Sequence, residues 1–334
     1  MARPDAPPTL YDLAREAGVS LATASRVVNG STRKVAEPYR VRVLEAADRI
    51  GYRANLSAQA VARGTSRLAA LLVSDIVDPF FAAVTAGVSR AAEAEGLLVT
   101  MSVTDRRSDR ELELLRTIGG FRPRLVLLIG SRRTTEPSSE LEDELRELRR
   151  AGADVVVVGH HRLPFASVRA DDTTGARELA EAVAAAGRSR VAILAGPADL
   201  STATARAEGF RAGLRAAGLD PVAVVHGEFG RSGGRAAALE AVGAGADALL
   251  AVNDVMALGA LSALRERGIR VPEQVAVTGF DDIAAAADAV PALSSVRIDL
   301  EALGERAVAV ALAGDDSAAE VVPAHPVLRA STGH

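Results

Sequence analysis

Hydrophobic residues near the start of the chain recur at helical spacing in two short segments between residues 9 and 30. Gly18 lies between the segments and favours the left-handed backbone of a sharp turn. Thr9 and Asp12 have the pattern of a capping box, and Ser20 is suited to cap the second segment. The pattern predicts two helices joined by a tight turn. Their apolar faces are formed by Leu10, Leu13 and Ala14, and by Ala24, Val27 and Val28.

A third helix is predicted from about Glu37 to Ile50, with Pro38 tolerated in its first turn. The loop before it is basic and contains Arg33 and Lys34. The predicted packing stripe of this helix consists of Val41, Leu44, Ala47 and Ile50.

From residue 68 onward, nearly continuous apolar runs alternate with helical stretches. Runs of this kind are typical of parallel strands that helices cover on both faces, so an α/β fold is predicted. There are more predicted strands than one sheet of this kind contains, so two lobes with a cleft between them are predicted. The chain is predicted to cross from one lobe to the other at Gly159–His161. The predicted strands are Leu68–Val73, Leu97–Val103, Leu125–Ile129, Val155–Val158, Val191–Leu194, Ala248–Val252 and Val275–Val277.

This organisation predicts three parts of the chain. An all-α domain occupies residues 1–54, a linker follows at 55–66, and a two-lobed α/β domain occupies 67–334. The lobes are predicted at about 67–159 with 296–318, and at about 160–292 with 321–334.

Charge is distributed unevenly along the chain. Residues 1–67 contain eleven Lys or Arg and six Asp or Glu, whereas the whole chain has a formal net charge of −4. A basic head on an acidic remainder is expected of a polyanion-binding module joined to a sensor.

Composition narrows the function classes further. The chain of 334 residues has no Cys, which excludes disulfides, a thiol nucleophile and thiolate metal sites. No apolar run approaches the roughly 18 residues of a membrane span, and the first residues lack the apolar core of a signal peptide. A cytoplasmic protein is expected.

The second predicted helix carries the candidate chemistry of the head. The side opposite its apolar face holds small or hydrogen-bonding residues, which suit the major groove of DNA because they allow close approach and reach phosphates and base edges. A solvated helical hairpin is the alternative. The residues concerned are Leu21, Ala22, Ser25, Arg26 and Asn29.

This segment resembles the DNA-binding headpiece of the lac repressor (LacI/GalR) family of bacterial transcription regulators. The match includes Ala17–Ser20, Ser25–Val27 and Asn29–Gly30, whereas Ala24 stands where the family usually carries valine. The resemblance implies a set of DNA contacts in the headpiece, namely Thr9, Ser20, Leu21, Ala22, Thr23, Ser25, Arg26, Asn29, Arg33, Lys34 and Tyr52.

Residues 55–63 resemble the hinge helix of the same family, which inserts an apolar side chain between base steps in the minor groove. Asn55 and Ala58 match the family pattern, Val61 occupies the lever position, and Ser57 replaces a hinge leucine. Asn55, Ala58 and Val61 are therefore expected to contact DNA. A plain interdomain linker is the alternative.

Most of the remaining chain resembles the effector-binding domain of the family. Asp78 replaces the usual asparagine, and Leu200 stands where purine-responsive relatives carry arginine, which favours a sugar as effector. Aromatic rings beside acids and an arginine also suit a polyol. The implied effector contacts are Phe80, Phe81, Asp171, Arg206, Phe229, Asn253 and Asp281.

Simpler roles remain open for several of these residues. Phe80 and Phe81 suit a core, Arg206 could pair with Glu208, and Asp254 suits a helix N-cap. His160 and His161 invite a metal site, but adjacent residues on an extended segment point in opposite directions.

The predicted function is that of a homodimeric, ligand-responsive DNA-binding regulator, a repressor of carbohydrate-utilisation genes, with no cofactor, metal or membrane partner. A sugar-binding sensor without operator function and a regulator of a non-sugar metabolite are the alternatives. An enzyme is not favoured, because no P-loop, G-x-G-x-x-G after the first strand or G-x-S-x-G elbow is present.

Overall fold

The computed structural model describes residues 7–29, 35–53, 66–133 and 139–334. The chain divides into two compact units, residues 1–66 and residues 67–334. The hinge segment 55–63 lies outside the described residues, as do the predicted DNA contacts Arg33, Lys34, Asn55, Ala58 and Val61. Among the described helices, none has the length and apolar character needed to cross a bilayer.

The first unit contains three helices: α1 (Leu10–Glu16), α2 (Leu21–Val28) and α3 (Glu37–Ile50). The predicted capping box is confirmed, since the Thr9 hydroxyl accepts from the Asp12 N–H at 3.3 Å and the Thr9 N–H donates to Asp12 Oδ2 at 3.0 Å. Gly18 turns the chain with a φ of +62°. Ser20 then caps α2, as predicted, by accepting from the Thr23 N–H at 3.1 Å.

The three helices of the first unit pack around a small core. The stripe predicted on α3 is wrong in part, because Val41 and Leu44 are each 41% exposed whereas Val43 is fully buried. Helix α3 carries two apolar rows at helical spacing, and the row that faces α1 and α2 is the one that becomes buried. The buried residues of this core are Leu13, Ala14, Ala17, Ala24, Val43 and Ala46.

A six-stranded parallel sheet forms the first half of the second unit, and its order is β11-β5-β4-β3-β1-β2. In chain order its strands are β1 (Leu68–Val73), β2 (Leu98–Val103), β3 (Leu125–Ile129), β4 (Asp154–Val158), β5 (Ala166–Ala170) and β11 (Ala319–Val322). The helices associated with this half are α4 (Pro79–Ala94), α5 (Ser108–Gly119), α6 (Ser139–Arg150) and α12 (Leu300–Leu312).

A four-stranded parallel sheet of order β7-β6-β8-β9 forms the other half, beside a two-stranded antiparallel pair, β10-β12. The strands are β6 (Val191–Leu194), β7 (Ala223–Val225), β8 (Ala248–Ala251), β9 (Ala276–Thr278), β10 (Ser295–Ile298) and β12 (Ala324–Val327). The helices of this half are α7 (Asp172–Ala185), α8 (Ser201–Ala216), α9 (Arg231–Gly243), α10 (Asp254–Glu266) and α11 (Ala284–Asp288), and a 3₁₀ turn follows at Ala330–Thr332.

The chain leaves the first sheet later than the sequence predicted. After Gly159–His161 it returns to the same sheet as β5, which pairs in parallel with β4 through Val158 and Val168. It passes to the second sheet only after Ala170, through α7. Strand β11 also belongs to the first sheet because it pairs with β5. Both strands lie outside the first lobe as its boundaries were predicted.

Two glycines let the first sheet's helices α4 and α12 pack at unusually short range. A Cβ atom on Gly87 would lie 2.0 Å from the backbone oxygen of Glu301, and one on Gly304 would lie 2.2 Å from that of Val84. Neither position has room for a side chain. This packing holds the middle of α4 against α12, and the amino-terminal end of α4 carries part of the site described below.

Candidate functional site

One face of α2 presents small and hydrogen-bonding side chains to solvent. Ala22 and Arg26 are exposed, and Thr23 and Ser25 are half-buried. Among the described residues, Arg26 forms no ion pair, and the Asn29 amide donates to Ser25 Oγ at 2.9 Å. Arg26 is therefore available to a partner, and Ala22 leaves room for that partner to approach the helix closely.

Other predicted DNA contacts have structural partners within the first unit. The Thr9 hydroxyl donates to Asp12 Oδ2 at 2.7 Å, and Ser20 Oγ lies 2.9 Å from Thr23 Oγ1, so both hydroxyls are engaged in helix caps. Leu21 and Tyr52 pack in part against the core of this unit. Burial raises the pKa of the Tyr52 hydroxyl. These residues therefore stabilise the helices of the first unit.

The second unit contains a cleft at the carboxyl ends of strands from both sheets, which is where open α/β sheets bind ligands. Its volume, including the part open to solvent, is about 540 Å³. Residues from both halves of the unit line it: Asp78, Phe80, Phe81, Arg106, Gly130, Ser131, Val158, Gly159, Ala170, Asp172, Thr202, Arg206, Phe229, Asp281 and Leu303.

Aromatic rings form one part of the cleft wall. Phe80 and Phe81 stand edge to face at 5.2 Å between ring centroids. The guanidinium of Arg106 lies 5.9 Å from the Phe81 centroid and 5.3 Å from the Phe229 centroid. Because Phe81 belongs to the first half of the unit and Phe229 to the second, Arg106 bridges the two walls through cation–π contacts.

A buried arginine organises the opposite part of the wall. Arg206 Nε donates to Asp172 Oδ1 at 2.7 Å, its Nη1 donates to the carbonyl of Val252 at 2.8 Å, and its Nη2 lies 2.8 Å from Asp281 Oδ1. Asp172 Oδ2 also lies 2.8 Å from His160 Nε2. The pairing of Arg206 with Glu208 that the sequence left open is not the one observed.

Burial governs the charges of these groups. It raises the pKa of Asp281 to about 7 in spite of the neighbouring Arg206, and Asp78 adds to the effect. Burial also raises the pKa of Asp78. For Asp172 the same burial is outweighed by Arg206 and His160, which hold its pKa below the usual value. The cleft thus contains one firmly ionised carboxylate and two that resist ionisation.

The structure places five predicted effector contacts in the cleft wall: Phe80, Phe81, Arg206, Phe229 and Asp281. Two lie elsewhere. Asp171 caps α7 by accepting from the Thr174 N–H at 3.4 Å, and its neighbour Asp172 is the residue that lines the cleft. Asn253 is completely buried and caps α10 by accepting from the Met256 N–H at 2.8 Å, so it offers no surface to a ligand in this conformation.

Asp254 follows that cap, and its predicted capping role is wrong. Its Oδ2 accepts from the Ile283 N–H at 2.8 Å and its Oδ1 accepts from Ser295 Oγ at 2.6 Å. Burial raises the pKa of Asp254 well above its usual value. This carboxyl ties α10 to the segments around Ile283 and Ser295, which position Asp281.

Sequence reasoning missed several residues of the cleft. Asp172 had a signal, since it adjoins Asp171, and Asp78 had one as a departure from the family pattern. Arg106 had a signal in its position three residues after the predicted strand Leu97–Val103, whereas Thr202 carried none and reaches the cleft only through the fold. In the first unit, Tyr11 is 73% exposed at the start of α1 and was not included among the predicted contacts.

Comparison with known proteins agrees with this geometry. The model of the lacI family of bacterial regulatory proteins matches residues 9–55, and that of a periplasmic binding protein-like domain matches residues 180–332. The transcriptional regulator CelR of Thermobifida fusca is 32% identical over 306 residues, which cover 89% of this chain and 88% of CelR. The chain belongs to the lacI family.

Solved structures of lacI-family relatives share the fold over nearly the whole length. The lac repressor dimer bound to operator and the anti-inducer ONPF superposes with a TM-score of 0.85 at 26% identity, covering 98% of this chain and 99% of that one. A CelR–cellobiose complex superposes with a TM-score of 0.72 at 30% identity, covering 97% and 99%. As a lacI-family member, the protein is a DNA-binding transcription regulator and not an enzyme.

Proposed function

We propose that this protein is a homodimeric repressor of carbohydrate-utilisation genes whose affinity for operator DNA is changed by a small sugar bound in the cleft. The observation that carries the proposal is that one chain combines the open face of α2 with a cleft that has aromatic rings beside carboxylates and an arginine. Each feature alone would suit many proteins, but the pair suits a regulator that reads both DNA and a metabolite.

The DNA-binding part of the proposal rests on the headpiece. Arg26, which has no ion pair within the described chain, and the small Ala22 lie one turn apart on α2, so the helix can enter a major groove and the guanidinium can reach a base edge. Ser20 caps the amino end of the helix, which fixes how its first turn meets the groove. Two such helices in a dimer would read a near-palindromic operator.

The sugar is supported by the composition of the cleft wall. Rings such as Phe80 and Phe229 can cover the apolar face of a pyranose, while Asp281 and Arg206 supply hydrogen-bond partners for its hydroxyls. Leu200 is 3% exposed and brings no charge to the loop position where purine-responsive relatives carry arginine. The similarity to a regulator solved with cellobiose is in keeping with this class of ligand.

The dimer is supported by an apolar sheet edge. Strand β2 ends the six-stranded sheet, and its Leu98 and Met101 are 62% and 43% exposed. An edge strand with exposed apolar side chains favours association with another copy. Because the operator of such a regulator lies on the chromosome, the proposed function also places the protein in the cytoplasm.

The test is a fluorescence-anisotropy titration of a labelled fragment from just upstream of the protein's own gene, at fixed salt because affinity for DNA depends steeply on salt. The titration is repeated with a panel of mono- and disaccharides. Tight binding that resists competitor DNA and that one sugar changes would confirm the proposal, and the sign of the change gives the polarity of the response. Binding that no sugar changes would remove the sugar, and the absence of specific binding to any fragment would leave only a sensor.

A further inference from the structure

The cleft holds more carboxylates than its arginines can neutralise. Asp78, Asp172 and Asp281 line it together with only two arginines, Arg106 and Arg206. All three aspartates are buried, with exposed fractions of 7% or less. Arg106 also lies 3.4 Å from Asp75, an acid outside the lining, and so is shared. If all three aspartates are ionised, a surplus of negative charge therefore faces the cleft.

The surplus is concentrated on two of the aspartates. Asp172 is satisfied at both oxygens by Arg206 and His160. Asp78 accepts from the Phe80 N–H at 3.0 Å through Oδ1, and Asp281 meets Arg206 through Oδ1. Within the described chain, no hydrogen-bond donor reaches Oδ2 of either residue. Both residues line the cleft, so these oxygens are the ones left to bind a ligand there.

The two aspartates come from opposite halves of the unit. Asp78 caps α4 beside the first sheet, and Asp281 follows β9 of the second sheet. Their charges are close enough that Asp78 raises the pKa of Asp281. When both are ionised, two like charges face the same cleft, which is unfavourable unless a proton or a cation lies between them.

We propose that the effector is an amino sugar whose protonated amine binds between Asp78 and Asp281, and that Asp78 determines this specificity. This inference rests on the proposed function, because it concerns the same cleft. An ammonium group offers three donors and no acceptor, so it satisfies both free Oδ2 atoms and neutralises the surplus charge. The rings of Phe80, Phe81 and Phe229 line the same cleft and also attract a cation.

A neutral sugar meets the same site less well. Its hydroxyls can donate to both carboxylates, but they leave two like charges in a buried wall, so one aspartate must stay protonated. The family's usual asparagine at position 78 would remove this conflict.

The test is isothermal titration calorimetry of the full-length protein with matched pairs at pH 7.5: glucose and glucosamine, galactose and galactosamine, mannose and mannosamine, cellobiose and chitobiose. The expected result is that one amine binds at least about ten-fold more tightly than its neutral partner. Asp78→Asn should reduce that preference by about ten-fold or more, chiefly through weaker binding of the amine. The asparagine amide oxygen can still cap α4, and thermal unfolding of the variant checks that it folds.

Asp109→Asn is the matched control, since Asp109 is an exposed aspartate paired with Arg107 and does not line the cleft. It removes the same charge from the same half of the unit and should leave the preference unchanged. Neutral sugars that bind as tightly as their amines, with no effect of Asp78→Asn, would overturn the inference and leave the proposed sugar response standing. Failure of every sugar and amine to bind a protein that still binds its operator would overturn both.

Discussion

Asp281 is held in a backbone conformation that side chains rarely adopt, with a φ of 101°, and Asp282 follows with a φ of 53°. Such residues cost on the order of 1–3 kcal/mol each and persist only where their surroundings fix them. Here the Asp281 N–H donates to the carbonyl of Val296 at 2.9 Å and the Asp282 N–H donates to Ser295 Oγ at 3.1 Å. The strain is held in place by β10 and turns the Asp281 carboxylate toward Arg206.

Asp281 should make stability depend on pH. Its pKa is about 7 in the folded protein, above the usual 3.8, so its favourable contribution is complete below about pH 3.8 and is lost as the pH rises through 7. Relative to Asp281→Asn, the wild-type protein should lose stability between pH 5 and 8, with a slope of at most about 1.4 kcal/mol per pH unit. Urea denaturation of both proteins at each pH measures the difference.

The variant Asp281→Asn lacks the ion pair with Arg206 at every pH. That loss changes the difference in unfolding free energy between the two proteins by an offset, so only the slope of this difference against pH measures the titration of Asp281. The other ionisable groups around Asp281 are Asp78, Asp172, Arg206, Asp254 and the adjacent Asp282, which the variant keeps. Parallel stability profiles of the two proteins between pH 5 and 8 would contradict the assignment of the raised pKa to Asp281.

For single residues, the sequence could indicate that charged side chains gather in the cleft but not which of two neighbouring residues lines it. Asp171 and Asp172 are adjacent acids with the same chemistry, and only the start of α7 decides which of them caps the helix and which reaches Arg206. At the start of α10, likewise, Asn253 caps the helix and its neighbour Asp254 does not. A shift of one residue around a helix start turns a side chain by about 100°, which no local pattern resolves.

At the scale of the element, α2 is the part of the headpiece whose change should affect DNA binding alone. Arg26→Ala removes an exposed guanidinium that has no ion pair among the described residues, and a good bidentate contact with a base is worth about 1–3 kcal/mol. Operator affinity should fall by roughly five- to 150-fold at fixed salt, while effector affinity stays unchanged. Anisotropy and calorimetry measure the two affinities separately.

Arg15→Ala is the control matched in charge, because Arg15 lies on α1 and is paired with Asp12 at 2.6 Å. It tests how much of the loss is long-range electrostatics. Equal losses in the two variants would mean that Arg26 contributes only its charge, and a simultaneous loss of effector binding would count against separate modules.

The sequence predicted elements well where one pattern dominates. The bounds of α3, β1 and β3 were obtained directly, because helical spacing and unbroken apolar runs leave few alternatives. Strands β5, β7, β10, β11 and β12 were missed, since they are three to five residues long and several alternate polar with apolar side chains. Such strands form because they pair with a neighbouring strand, and the local sequence does not show that pairing.

At the scale of the whole molecule, the two-unit organisation predicts that sensing and DNA reading can be uncoupled. Asp281→Ala removes a carboxylate from the cleft wall in the unit formed by residues 67–334, so it should abolish the effector response while operator affinity is retained. Repeating the anisotropy titration with and without the effector measures both properties. A variant that loses operator binding in the absence of effector would show that the cleft also supports the DNA-bound form.

Allostery between the two sites is a coupling free energy and is therefore reciprocal. If the effector weakens operator binding by a given factor, operator DNA must weaken effector binding by the same factor. The residues that transmit this coupling could not be inferred from sequence, because they depend on how the two sheets move relative to each other. The contacts that join the sheets across the cleft are the place to look for them.

Those contacts also have a consequence for rates. Ser201, at the start of α8, donates through its N–H and its hydroxyl to the carbonyl of Arg132, at 2.9 and 2.6 Å, and the Thr202 N–H donates to Ser131 Oγ at 2.9 Å. These hydrogen bonds hold the end of β3 against the opposite half, and we expect that they must break before a sugar binds fully. In stopped-flow experiments the observed association rate should therefore level off at high sugar concentration. Ser201→Ala removes the hydroxyl that donates to the Arg132 carbonyl, so the plateau rate should be higher in this variant and the protein should respond to its sugar sooner.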